Sequence, residues 1–264
     1  MSIRKAYVDG PDGQVHYREE GTGEPLLLLH QTAYSGQEYL AVFPRLVAGG
    51  RRVIAMDTPG YGMSDLPPGD PNIEGYADAA IALLDALGIE RAAVLGHHTG
   101  ATIALHLGWA HPDRVSQLVL NGTPLYTDED RINRLERLPT EAPPIEEDGS
   151  HLLEPWDRRM RVTVGWTRLD VMTRRVIEML SVRDHAWYGY RAVFPYPFED
   201  RLREITMPTL LLTNTGEDLY RHTLRARDAR PDLPYVELEG GTHDIVDEQP
   251  EEWSAAVLDF LNGS

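Results

Sequence analysis

"VLGHHTGA", residues 94–101, decides the fold. An apolar run, Ala92 to Leu95, enters it; Gly96 and Gly100 flank a turn; Thr99 opens a helix behind the turn. The same kind of run, apolar without alternation, recurs as LLLL (Leu26–Leu29), RVIAM (Arg52–Met56), QLVL (Gln117–Leu120) and TLLLT (Thr209–Thr213). Continuous apolar runs are how strands buried on both faces of a parallel sheet read. Helical patterns lie between them. In "IEGYADAAIALLDALGI", Ala80, Leu83, Leu84 and Leu87 fall at helical spacing and Gly88 closes the helix. At the N-terminal end, "IRKAYVDGPDGQVHYREEG" predicts a β-hairpin turning on Pro11-Asp12-Gly13. Alternation of this sort predicts an α/β fold with a doubly wound, mostly parallel sheet.

The rhythm breaks after Asn121-Gly122-Thr123-Pro124 and resumes at "MPTLLLTN". Residues 1–124 and 206–264 are therefore expected to form the core, and 125–205 an inserted helical cap over the carboxyl ends of the strands. The insertion holds Trp156, Trp166, Trp187, Tyr188, Tyr190, Phe194 and Tyr196. Most of these are expected to pack among themselves, and the rest to line an apolar chamber for a small-molecule substrate. The 264 residues carry a formal charge of −17, which repels nucleic acid and anionic membranes, so neither is expected as a partner. No cysteine is present, which excludes disulfides, thiolate metal sites and a cysteine nucleophile. "MSIRKAYVDG" contains no apolar run of the signal-peptide kind, and LLLL is too short to span a bilayer; a cytoplasmic protein is expected.

Four stretches together resemble the α/β-hydrolase fold family. "LLLLHQTAYS" stands where that family has its His-Gly oxyanion loop after the third strand, and "AMDTPGYGMSD" looks like its loop after the fourth. "VLGHHTGA" is similar to its nucleophile elbow, G-x-S-x-G, and "GGTHDIVDEQPEEW" to the loop that carries its catalytic histidine. The resemblance covers nearly the whole chain outside the insertion. It implies that His98 occupies the nucleophile's place and His243 the general base's. Asp218, after the preceding strand, would orient His243, with Glu217 its rival one residue away. Backbone N–H groups of Thr32 and Thr99 would form the oxyanion hole, with His30 and Gln31 beside it. Two residues depart from the family: Gln31 stands where glycine is usual, and His98 where serine, aspartate or cysteine is usual.

A serine hydroxyl needs a base before it can attack, whereas a neutral imidazole already offers a lone pair. His98 thus suits either direct attack on an activated carbonyl or general-base activation of water. His98 and His243 are expected to lie close enough to titrate as one unit, with Asp218 drawing the charge onto His243. Two other classes remain open: cofactor-independent lyase, isomerase or dioxygenase chemistry on a His98–His243 acid/base pair, and ligand binding without catalysis. No cofactor is expected. A metal held by His98, His243, Asp218 and His30 would suit zinc or iron, but no HxH or HExxH spacing supports it, and no metal site is expected. His97 is expected to pack sideways, Asp57 to brace the loop that follows it, and His106 and His111 to be structural.

Overall fold

The computed structural model describes residues 3–163 and 165–263. Met1, Ser2, Val164 and Ser264, which fall inside the expected core and insertion boundaries, lie outside the described residues. The hairpin is present as strands β1 (Arg4–Gly10) and β2 (Gly13–Glu20), followed by β3 (Glu24–Leu29), β4 (Arg51–Met56), β5 (Ala92–His97), β6 (Val115–Asn121), β7 (Thr209–Asn214) and β8 (Tyr235–Leu238). They form one sheet in the order β1-β2-β4-β3-β5-β6-β7-β8. The β1–β2 and β2–β4 pairings are antiparallel, and every pairing from β4 to β8 is parallel.

Why the central strands read as unbroken apolar runs is visible in β3. Leu27 and Leu29 face one hydrophobic cluster with Ile54, Met56 and Val94; Leu26 and Leu28 face the other with Val53, Ala55 and Leu95. All four leucines are fully buried, so truncating any of them to alanine costs about 2–5 kcal/mol. Helices α1 (Phe43–Ala48), α2 (Ile73–Ala86) and α3 (Thr99–Ala110) follow β3, β4 and β5 in turn. The first cluster is closed by Leu83 and Leu84 of α2 and Ile103 and Leu107 of α3, and the second by Phe43 and Leu46 of α1. Asn72 caps α2 by accepting from the Gly75 N–H at 2.8 Å, and Gly88 follows its carboxyl end at φ 64°.

Among the described residues, the helices between β6 and β7 are α4 (Asp128–Glu136), α5 (Ser150–Val162), α6 (Leu169–Ser181), α7 (Tyr188–Val193) and α8 (Phe198–Glu204). Two buried arginines tie this segment to the core. Arg159 of α5 pairs with Asp244 in the loop after β8. Arg175 of α6 bonds Asp247 at 2.6 Å and packs over the Tyr34 ring at 4.4 Å. Helix α9 (Tyr220–Ala229) joins β7 to β8, and α10 (Ile245–Glu248) and α11 (Pro250–Gly263) end the chain, with Trp253 and Val257 of α11 in the second cluster. No described helix is long and apolar enough to cross a membrane.

Candidate active site

His98 sits at the apex between β5 and α3 with φ 51° and ψ −108°, the one non-glycine residue with positive φ among those described. Such a backbone costs on the order of 1–3 kcal/mol and persists only where its surroundings over-determine it. Here they do: the His98 N–H donates to the Asn121 carbonyl at 3.0 Å, and its own carbonyl accepts from the Ala101 and Thr102 N–H groups. Close approach explains the flanking glycines. A Cβ on Gly96 would lie 2.0 Å from the Gly100 oxygen, and one on Gly100 1.9 Å from the Leu29 oxygen.

The side chain of His98 is 16% exposed and lines a cavity of about 830 Å³ at the carboxyl ends of the strands. Its Nε2 donates to Oε1 of Glu217 at 2.8 Å, leaving Nδ1 without a partner among the described residues. Space for the ring is made by Gly122 at the end of β6 (φ 60°), where a Cβ would fall 2.5 Å from Cδ2 of His98. The buried Glu217 carboxylate also accepts from the Leu219 N–H at 3.0 Å. Burial alone would raise it, but the imidazoles of His98 and His97 hold it well below the usual carboxylate range.

His97, the last residue of β5, does not merely pack sideways. Its Nδ1 is hydrogen-bonded to Glu38 in the loop after β3, and its Nε2 lies 3.7 Å from Oε2 of Glu217. Burial acts to lower it, yet Glu38 and then Glu217 push it up to about 9; in return Glu38, against its own burial, is held down to about 2. The structure thus gathers a chain of four buried or half-buried groups, Glu38–His97–Glu217–His98; His98 was expected here, Glu217 only as the rival acid for His243, and Glu38 and His97 not at all. A signal for the others exists in the sequence. His97 ends a strand covered on both faces, so its imidazole must enter the interior and find a partner there.

His243 lies on the loop after β8 and lines the same cavity. Among the described residues no hydrogen bond joins it to His98, whose Nε2 is bonded to Glu217 instead. Asp218 Oδ2 is 3.5 Å from His243 Nδ1, an ion-pair distance rather than a hydrogen bond, and its side chain is 62% exposed. Arg159 donates to Nε2 of His243 and pairs with Asp244. Burial pushes the His243 pKa down; Asp244 opposes this, and Arg159 adds to the lowering, so charge is not drawn onto this ring as expected.

Thr32, in the loop after β3, and Thr99, at the start of α3, meet through their hydroxyls at 2.8 Å, and neither backbone N–H donates to an acceptor among the described residues. Gln31 is fully engaged: its amide donates to Glu38 at 3.2 Å and to the His243 carbonyl at 2.9 Å, joining two loops of the site. His30 braces the loops instead of meeting a ligand, its Nδ1 bonding the Gln31 carbonyl and its Nε2 accepting from the Thr58 N–H. Both ring nitrogens being used, and Asp218 lying outward, His30, His98, Asp218 and His243 do not converge on a metal. The described residues that do bring ligand atoms within 4.8 Å of one another are His97, His98 and Glu217. Asp57 accepts from the Gly36 and Met63 N–H groups and from His16 and Arg18, and so braces two loops. Of the aromatics in the β6–β7 segment, Trp187 and Tyr190 line the cavity, while Phe194 is buried against Tyr126 and Tyr190.

The sequence pattern of the alpha/beta hydrolase fold matches residues 24–180. The chain belongs to that family. Its relatives include a 2-hydroxy-6-oxononadienedioate/2-hydroxy-6-oxononatrienedioate hydrolase of Pseudomonas putida, 30% identical over 95% of this chain and 92% of that protein. A 2-hydroxymuconate semialdehyde hydrolase of Pseudomonas sp. (strain CF600) is 39% identical over a shorter stretch, 42% of this chain and 40% of that protein. Among solved structures, E-2-(acetamidomethylene)succinate hydrolase superposes with a TM-score of 0.81 at 21% identity, covering 99% of this chain and 100% of that one, and it shares the fold. On these matches this alpha/beta hydrolase fold protein is an enzyme of the hydrolase class.

Proposed function

We propose that this enzyme hydrolyses a small, partly apolar ester, lactone or related acyl compound, with His98 as its catalytic base. The observation that carries the proposal is the His98–Glu217 bond: a buried carboxylate fixes the N–H on Nε2, so the lone pair is on Nδ1, the nitrogen without a protein partner in a side chain that lines the cavity. In the serine-hydrolase triad a buried acid does the same for its histidine, holding the tautomer and stabilising the imidazolium that forms. Here the base itself occupies the apex. A water between Nδ1 and the substrate carbonyl would lose its proton to Nδ1 as its oxygen bonds to carbon, and Glu217 would stabilise the resulting imidazolium. Negative charge developing on the carbonyl oxygen would be received by the N–H groups of Thr32 and Thr99. Direct attack by Nδ1 is sterically poorer, because that nitrogen is bonded to the ring carbon that carries the rest of the residue.

His243 and Asp218 take a second place in this mechanism. With Arg159 they form a polar wall of the cavity and orient the acyl group or its leaving group. The helices α4–α8 act as a cap, contributing Trp187 and Tyr190 as apolar surface. Arg137 and Arg158 also line the cavity and have no ion-pair partner among the described residues, which favours a substrate carrying a carboxylate. Support for that class comes from the relative named for a dienedioate.

The test is turnover of an ester, lactone and thioester panel, with and without a substrate carboxylate, by wild type and His98→Ala. Turnover that disappears in the variant supports the proposal, and an acid-quenched mass spectrum without acyl-His98 supports the base role over direct attack. Turnover surviving in His98→Ala, or absent from both proteins, overturns it.

A further inference from the structure

Three features around Glu217 go beyond what the dyad uses. First, Nε2 of His97 and Oε2 of Glu217 are both fully buried and have no hydrogen-bond partner among the described residues, although they face each other across 3.7 Å. Polar atoms left so in an interior cost about 1–3 kcal/mol each. Second, Gly122 leaves a space beside them: a Cβ there would lie 2.9 Å from Nε2 of His98 and 3.5 Å from Oε2 of Glu217. Third, the Glu38 carboxylate engages Nδ1 of His97, which directs Nε2 of that ring towards Glu217. A carboxylate behind an imidazole is how metal-ligating histidines are oriented and made more basic.

We propose that His97, His98 and Glu217 form a binding site for one late first-row divalent ion, Zn²⁺ foremost, and that the ion and the catalytic dyad exclude each other. Glu217 offers one oxygen to each imidazole, at 2.8 Å from His98 Nε2 and 3.7 Å from His97 Nε2. One ligand atom from each of the three residues lies within 4.8 Å of the other two, close enough for the side chains to gather about one ion. The ligand set of two imidazoles and a carboxylate, with no thiolate in the chain, matches zinc and its neighbours rather than a soft or a hard ion. On binding, His97 loses its Nε2 proton to solvent and keeps the one on Nδ1 that faces Glu38, while His98 gives up its Nε2 proton and takes one from solvent at Nδ1, so both rings are neutral and each Nε2 lone pair bonds the ion. The cavity supplies the fourth position and the route of entry, through His98. Occupancy breaks the His98–Glu217 hydrogen bond, so turnover stops. That last consequence rests on His98 being the base; the binding of the ion does not.

The experiment uses the full chain without an affinity tag, freed of metal by chelator and dialysis, and titrated with zinc chloride in a calorimeter, with cobalt chloride followed by its visible absorption. The expected result is one ion per chain at a Kd on the order of micromolar or tighter. His97→Gln and Glu217→Gln should each weaken binding by at least about 100-fold, and Glu38→Gln by roughly 10–100-fold, the usual effect of losing a supporting partner. His111→Gln, away from the cavity, should bind as wild type. Where a variant fails to fold, zinc X-ray absorption on the wild type decides, with two imidazole nitrogens and a carboxylate expected in the nearest shell. No stoichiometric binding, binding unaffected in folded His97→Gln, or a different ligand shell overturns the site. Zinc that binds there without abolishing turnover overturns the exclusion. A metal-free enzyme with no turnover would defeat the proposed function while leaving the calorimetric result to stand alone.

Discussion

Gly122→Ala is a small substitution with a large expected effect on catalysis. The new Cβ would lie 2.5 Å from Cδ2 and 2.9 Å from Nε2 of His98, where real Cβ contacts begin beyond 3.0 Å. Restoring ordinary contact requires the imidazole to move by about 1 Å, and a displacement of that size at a catalytic group costs on the order of 100-fold in rate. The ring cannot move so far and keep its 2.8 Å bond to Glu217, because the backbone at φ 51° is pinned by the Asn121 carbonyl. Alanine at φ 60° adds backbone strain of about 1–2 kcal/mol, which lowers stability without touching the site. Gly88→Ala separates the two contributions, since Gly88 has φ 64° and a methyl group there would meet nothing within 4 Å. Gly88→Ala should lose in urea only the stability due to backbone strain, and Gly122→Ala that plus the cost of the clash; only Gly122→Ala should lose about 100-fold in kcat on the substrate found by the panel. A folded Gly122→Ala enzyme whose kcat stays within about twofold of wild type would refute the placement of His98 at the reacting centre.

Glu217→Gln keeps the shape of the dyad while removing its charge, and by the behaviour of buried acids in triads should lower kcat by about 10³-fold or more with little change in KM; steady-state kinetics with an unchanged kcat would remove Glu217 from the mechanism. Asp57→Asn should destabilise the fold by about 3 kcal/mol or more, as loss of one partner from a buried ionic cluster does, and urea unfolding measures it. Burial would raise the Asp57 carboxyl, but the hydrogen bond from His16 and the charge of Arg18 hold it below the usual range. The folded value is therefore the lower one, so its contribution is complete above about pH 4 and fades as pH falls through the folded value. Asp57→Asn should accordingly flatten the acid limb of the stability curve, and an unaltered limb would contradict the assignment.

The sheet was legible because both of its faces are covered: Leu26 and Leu28 serve one cluster and Leu27 and Leu29 the other, so burial is written into every position of the run. The elbow was legible because Gly96 and Gly100 answer to backbone clashes within a few residues and one neighbouring strand. Partners of the site were harder, for a geometrical reason. His97 finds Glu38 across 59 positions and His98 finds Glu217 across 119, separations set by strand order rather than by any local period. Choosing between Glu217 and Asp218 depended on a single step along a turn. The Glu217 N–H is held to the Asn214 carbonyl, and its side chain passes inward to His98, while Asp218 is left on the rim, 62% exposed.

Replacing serine by histidine at the apex changes which residues must accompany it. A serine needs a base across the cavity, and that base needs an acid; on the proposed mechanism an imidazole brings the base with it and needs only the acid, the part given to Glu217. On that mechanism His243 would be released from the family role, and Arg159 donates to its Nε2. It follows that His98→Ser should not recreate an ordinary serine hydrolase. The hydroxyl would face a His243 whose Nε2 is already accepting from Arg159 and whose Nδ1 is 3.5 Å from its acid. Esterase activity of His98→Ser is expected to stay within about tenfold of His98→Ala, because the base that should supply roughly 10²–10⁴-fold is engaged elsewhere. Adding Arg159→Gln should raise it, since Nε2 is freed and the influence of Arg159 that lowers the His243 pKa is gone. A single His98→Ser variant as active as wild type would show that His243 was available all along, and that the chemistry here does not depend on the imidazole at the apex.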